Sequence, residues 1–181
     1  MSSQYTLIFQ VKTLADVTMG AAHFFDGPPL EKLAPSGGSA VHAVTSVGAP
    51  FQWPVRVYWE DTDAGGIVFY ANYLKFFERA RTEWLRSLGI EQQQLKDQSG
   101  GMFVVAETNV RYLRPARLDD ELMVTATLEK SGRASLTLWQ QVLLKNTLLC
   151  EGSIRIGWVT AVDLQPSRIP LNIIESLRVS T

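Results

Sequence analysis

One segment of the chain, ANYLKFFERARTEWLRSLG at residues 71–89, repeats with a helical period for about five turns of 3.6 residues. Tyr73, Phe77, Ala80, Trp84 and Leu88 form one row, and Leu74, Arg81 and Leu85 form a second beside it, so the helix has a wide apolar side. Gly89 stands at the C′ position, where a left-handed residue closes a helix. The other regular segments alternate as strands do. WPVRVYWE (53–60) precedes the helix, and MFVVAETNVRYL (102–113), ELMVTATLEK (121–130), ASLTLWQQVLLK (134–145) and LLCEGSIRIGWVT (148–160) follow it. SGR and KNT supply tight turns between the last three, which therefore form an antiparallel meander. Glu91–Gln98 reads as a short helix or irregular backbone, and residues 171–177 as a short tail helix. A lone long helix among five strands leaves few solutions. The expected class is α+β: a five-stranded antiparallel sheet whose concave face wraps one central helix and buries most of its faces.

Residues 1–50 have a different texture. They hold four of the chain's eight prolines and five glycines, and GPPLEKLAPSGGSA (27–40) reads as a linker. QYTLIFQVKTL could pair as a strand, but nothing after it sustains a period. The expected division is a flexible N-terminal extension, 1–50, and a domain, 51–181. With 17 basic against 18 acidic residues and no lysine or arginine run, the chain carries no field suited to nucleic acid. No stretch approaches the roughly 18 to 20 apolar residues that span a bilayer, so a soluble, intracellular protein is expected. Both histidines, His23 and His42, lie in the extension. Chemistry carried by residues 51–181 therefore cannot use Ser/His or Cys/His pairs, histidine bases or imidazole metal sites. Carboxylates, hydroxyls, backbone amides and arginines remain.

The informative stretch is VYWEDTDAGGIVFYANY (57–73). Asp61 and Asp63 end a strand, and Gly65 and Gly66 let the backbone turn toward the start of the long helix. Unsatisfied N–H groups and a partial positive charge at a helix start polarise a carbonyl placed there. One such donor is worth on the order of a hundredfold in rate. An aspartate a few residues upstream, ionised at neutral pH, faces the same carbonyl as base or nucleophile. Asp-Thr-Asp before a glycine pair is also a common turn and capping arrangement.

The run PVRVYWEDTDAGGIVFYANYLKFFERARTEWLR, continued by VRYLRPARLDDEL and by the hairpin around SGRASLTL, resembles the acyl-CoA thioesterases of the 4-hydroxybenzoyl-CoA thioesterase type, which share the hotdog fold. It is most similar to their Tol-Pal-associated branch, over about residues 51–165. The resemblance implies hydrolysis of an acyl-CoA to free acid and CoA, with no metal or other cofactor. Asp63 falls at the catalytic carboxylate, as nucleophile or as base for water. Tyr70 falls where a backbone N–H at the helix start polarises the thioester oxygen; many members of the Tol-Pal-associated branch have histidine there, and the hydroxybenzoyl-type enzymes have tyrosine. Glu78 matches an acidic position at the acyl end of the pocket, or is structural.

Asp61, Gly66, Asn72 and Tyr73 are candidates for the substrate site, with turn formation, capping and packing as their other roles. Arg133, like Arg114, Arg117 and Lys130, flanks a turn where CoA phosphates could be held by charge-assisted bonds. Cys150 reads as a small buried hydrophobe. The resemblance further implies a homodimer or homotetramer with the thioester between protomers, a cytoplasmic location near the inner membrane, and acyl carrier protein as a partner. The alternatives are a hotdog hydratase or dehydratase, which ordinarily uses a histidine, and a non-catalytic acyl-CoA or acyl-carrier-protein binding module.

Overall fold

The computed structural model of the protein describes residues 49–179. The expectation of a flexible extension falls, but for Ala49 and Pro50, outside the described residues. The elements run β1 (Phe51–Arg56), α1 (Asn72–Ser87), α2 (Gln92–Ser99), β2 (Gly101–Tyr112), β3 (Glu121–Ser131), β4 (Ser135–Leu144), β5 (Thr147–Thr160) and α3 (Leu171–Val179). The strands form one antiparallel sheet in the order β1-β3-β4-β5-β2. The meander β3-β4-β5 occupies its centre, as the two short turns require, and β1 and β2 are its edges.

Register decides which side chains meet the helix. Trp53 pairs with Val124, Val124 with Val142, Val142 with Cys150 and Cys150 with Tyr112, so one row of the concave face crosses all five strands. Leu138 and Ile154 pair in a parallel row, with Leu128 beside them. Against these rows α1 buries Tyr73, Phe76, Phe77, Ala80, Trp84 and Leu85. Each large apolar side chain removed from water in this way contributes about 1.5–3 kcal/mol. The sheet also bends to follow the helix, with register shifts at Val105/Glu107, Leu128/Lys130 and Val142/Leu143.

Two expectations are corrected. Only one side of α1 is buried: Leu74 is 40% exposed and Lys75, Glu78 and Arg79 are exposed, because the sheet of a single chain covers one side of the helix. The first strand is Phe51–Arg56 and not 53–60; Pro54 sits in it at a sheet edge, where a missing N–H is tolerated. After Val57 the chain turns into a 3-10 turn at Trp59–Asp61, because the Asp61 carboxylate accepts the Tyr58 N–H at 3.0 Å while the Asp61 N–H bonds back to the Tyr58 carbonyl. The end of α1 is as expected. Gly89 has φ +74°, its N–H bonds the Arg86 carbonyl, and the Ile90 N–H bonds the Leu85 carbonyl, a Schellman closure with Leu85 and Ile90 both buried.

The interior of the helix–sheet interface is not wholly apolar. Gln140, fully buried on β4, accepts a hydrogen bond from Arg81 Nη1 at 2.7 Å and donates through Nε2 to the Phe77 carbonyl (3.0 Å) and the Thr125 carbonyl (3.3 Å). Burial lowers the Arg81 pKa to about 10, a direct sign of how poorly water reaches that guanidinium. Gln140→Leu keeps much of the volume but strands the Arg81 charge and two backbone carbonyls. We expect it to cost about 3 kcal/mol, read as a lower urea midpoint at unchanged m-value.

Candidate active site

Between β1 and α1 the chain makes a small hairpin that carries the aspartates. Val57 is still tied to the β2–β3 connection, donating to the Asp120 carbonyl and accepting from the Asp119 N–H. Asp61 is 1% exposed, and its carboxylate accepts the Tyr58 N–H within the 3-10 turn. Asp63 opens the hairpin: its N–H donates to the Ile67 carbonyl at 2.9 Å, and its carbonyl accepts the Gly66 N–H at 3.0 Å. Gly66 closes the turn at φ +71°, a conformation that a side chain disfavours. The hairpin continues through the Thr62–Val68 bridge, and Ile67 bridges to Arg117.

The Asp63 carboxylate is exposed but held. Gly65 N–H donates to its Oδ1 at 2.8 Å, leaving Oδ2 without a partner among the described residues. A Cβ at Gly65 would come within 3.1 Å of that same Oδ1, so Gly65 serves both as donor and by lacking a side chain. An ionised carboxylate with one oxygen fixed and the other open can attack a carbonyl carbon or take a proton from water.

The second strand of the hairpin leads into α1. Phe69 N–H donates to the Asp61 carbonyl at 2.9 Å, and Tyr70 and Ala71 turn into the helix. No side chain caps this helix start. The Tyr70 N–H has no acceptor among the described residues, so the positive end of a 16-residue helix is left open to a ligand oxygen.

The other sequence-derived candidates divide. Asn72 is 6% exposed, and its Nδ2 donates to the Asp61 carbonyl at 3.0 Å. Tyr73 is 3% exposed, and its phenol oxygen accepts the Ala116 N–H at 2.9 Å. Both point into the protein. Glu78 lies on the outer side of α1, where its carboxylate accepts the Thr82 hydroxyl. Arg133 is not brought to this end of the sheet. The hairpin adjoins the Glu121 end of β3, and Arg133 follows the far end, eleven residues or roughly 35 Å along the strand. Arg117, bridged to Ile67, is the arginine beside the hairpin. Among the described residues no three His, Cys, Asp or Glu side chains converge, and no helix is long and apolar enough to cross a membrane.

One wall of the site is absent from the sequence reading. Tyr112, last residue of the edge strand β2, stands edge-on to Tyr70 (ring centroids 6.2 Å apart) and to Tyr73 (5.6 Å). Phe69 packs on Tyr70 at 4.6 Å, and Phe76 on Tyr73 at 5.9 Å. The aromatic series thus runs from Tyr70, 62% exposed, into the fully buried core. Alternation had placed Tyr112 on a strand, but only the pairing of β2 with β5 brings it to the helix start.

Burial raises the Tyr73 and Tyr112 phenols from 10.0 to about 12, and the Cys150 thiol beneath them to about 12, so all three stay neutral at physiological pH. The folded chain keeps two phenolic protons that the unfolded chain releases near pH 10. The stability they lend is therefore whole below pH 10 and lost as the pH rises through 12. Ultraviolet titration of tyrosinate should show these two late ionisations, and Tyr73→Phe and Tyr112→Phe should each remove one.

Comparison with known proteins identifies the family. A sequence model described as "Thioesterase superfamily" matches residues 65–151. The acyl-CoA thioester hydrolase YbgC of Escherichia coli O6:H1 is 41% identical over 129 residues, 71% of this chain and 96% of that protein. The acyl-CoA thioesterase YbgC of Haemophilus influenzae is 44% identical over 121 residues, 66% of this chain and 88% of that protein. Among solved structures, a probable thioesterase from Bartonella henselae superposes with a TM-score of 0.64 at 31% identity, covering 67% of this chain and all of the other.

Proposed function

The chain belongs to the thioesterase superfamily and is an acyl-CoA thioester hydrolase of the hotdog fold, and we propose that the Asp63 carboxylate and the Tyr70 backbone N–H carry its reaction. The observation behind this assignment is the hairpin itself: one short element presents an oriented carboxylate and, across it, an uncapped helix start.

The thioester carbonyl oxygen takes the Tyr70 N–H, which gains strength as negative charge develops on that oxygen. Oδ2 of Asp63 either attacks the carbonyl carbon, giving a mixed anhydride that water then cleaves, or removes a proton from the attacking water. On either route the carbon–sulfur bond breaks and CoA departs as a thiolate. A thiolate is a good leaving group and needs no strong acid to depart, which suits a site without histidine. Gly66 supplies the turn, Asp61 holds the loop, and Tyr112 and Tyr70 form an aromatic wall for the acyl group or pantetheine arm. For the CoA phosphates, the position of Arg117 beside the hairpin favours it within one chain; Arg133 would have to act from a second protomer.

A second protomer is part of the proposal. Strand β2 is a twelve-residue edge with its middle exposed, and an edge of that length is a template for pairing with another chain. Antiparallel pairing of two β2 strands would run two sheets into one and set the aromatic wall of each chain near the interface, in a homodimer or a dimer of dimers. The resemblance to the Tol-Pal-associated branch supports the further proposals of a cytoplasmic location near the inner membrane and of acyl carrier protein as a partner. Residues 1–50 are then an extension outside the catalytic unit.

Free-thiol release from a panel of short, long and aromatic acyl-CoAs tests the assignment. Folded Asp63→Asn and Asp63→Ala should lose at least about a hundredfold in kcat. Tyr70→Phe, which keeps the amide, should stay close to wild type. Acyl-CoA binding without thiol release would replace catalysis by a binding role, and turnover surviving both Asp63 variants would move the chemistry to another residue. Sedimentation should find no monomer at micromolar concentration, and a proline placed at Glu107 in β2 should create one.

A further inference from the structure

Asp61 and Asn72 were both candidates for touching substrate, yet their side chains are 1% and 6% exposed. Their contacts run instead between the two halves of the site. The Asp61 carbonyl accepts two donors, Phe69 N–H at 2.9 Å and Asn72 Nδ2 at 3.0 Å, and Nδ2 also lies 3.5 Å from the Glu60 carbonyl. The Asn72 N–H in turn donates to the Phe69 carbonyl at 2.8 Å. The Asp61 carbonyl is thus a hub two residues before Asp63 on one strand, with its donors on either side of Tyr70 on the other. Phe69 ties one flank of the Tyr70 peptide to it, and the Asn72 side chain ties the other.

The rest of the site gives this hub its weight. Tyr70 and Ala71 have no capping side chain and follow no strand ladder; the Ala71 carbonyl accepts the Leu74 N–H, while the Tyr70 N–H has no acceptor among the described residues and takes its direction from the residues on either side. The Asp63 carboxylate is fixed to its own loop through Gly65, which sets its direction but not its distance from the helix start. The hairpin ladder, with Asp63 N–H on the Ile67 carbonyl and Thr62 bridged to Val68, sets the spacing of the two strands, and the bonds onto the Asp61 carbonyl carry it to the helix start, Asn72 providing the side-chain one.

We infer that Asn72 is a positioning residue for thioester hydrolysis, whose carboxamide sets the Tyr70 oxyanion amide against the Asp63 carboxylate by clamping the Asp61 carbonyl to the first residue of α1. The inference rests on Asp63 and the Tyr70 amide being the reacting groups. A catalytic pair displaced by about 1 Å loses on the order of a hundredfold, whereas a single buried amide–carbonyl bond adds only modestly to net stability. Rate should therefore suffer far more than folding.

The test is a double-mutant cycle on thiol release in the full-length protein, with kcat expressed per folded molecule. Asn72→Ala removes the donor; Asn72→Asp keeps the shape, puts an acceptor against a carbonyl, and suits the first turn of a helix, so it carries the test if the alanine variant does not fold. Either should lower kcat about 10- to 100-fold with KM within about threefold of wild type. In an Asp63→Asn background the same substitution should cost less than about twofold, because the pair it aligns is already broken. A kcat per folded molecule within twofold of wild type overturns the inference, and so does an equal loss in both backgrounds, which would mark Asn72 as merely structural. Asp63→Asn at full rate would instead overturn the assignment of Asp63, and the positioning role with it.

Discussion

A single helix has to cover the apolar face of a five-stranded sheet, and most of the structure follows from that requirement. Aromatic and long aliphatic residues crowd one side of α1 because no second helix shares the work of covering the central strands. The sheet shifts register at three pairings so that it can curve onto the helix. At the centre, Gln140 grips the Phe77 carbonyl from the sheet side and holds Arg81, fixing the helix along its own axis, which apolar packing alone would leave free to slide. The helix is thereby tied to the sheet at a defined place along its length, and the position of its start follows.

The site is built from this fixed start outward. The 3-10 turn consumes the first aspartate of the motif, which makes its carbonyl available as an anchor; the second aspartate, released by the glycine turn, remains chemically open. Two carboxylates two residues apart thus have opposite fates. One is 1% exposed and accepts a backbone N–H, and the other is exposed with one oxygen uncommitted. Burial sorts the other ionisable groups in the same way. Tyr73, Tyr112 and Cys150 cluster beneath the site with their protons held.

Much of this was legible in the sequence for definite reasons. A 3.6-residue period, a glycine at C′ and alternating strands with two short turns are local properties, and α1, its Schellman end and the meander appear where those signals put them. The limits of β1 were not legible, because the turn that ends it depends on a side-chain-to-backbone bond three residues ahead. Gln140 left a trace that went unread: Leu136, Leu138, Gln140 and Val142 share one phase of β4, so a glutamine in the inward phase signals a buried polar partner on the helix.

The sequence by itself determined the inventory. It placed an α+β chain around one helix, an aspartate and two glycines before the helix start, and no histidine beyond residue 42, and these leave carboxylates, hydroxyls, backbone amides and arginines for the chemistry. Only the tertiary structure decided which groups are available. Asn72 and Tyr73 turned inward, Glu78 turned outward, Arg133 went to the far end of β3 and Tyr112 came to the helix start. The reason is one of range. Periodicity and turn chemistry act within a few residues, whereas exposure and partnership depend on strand pairings between residues about forty apart, such as Tyr112 with Cys150, which no local pattern encodes.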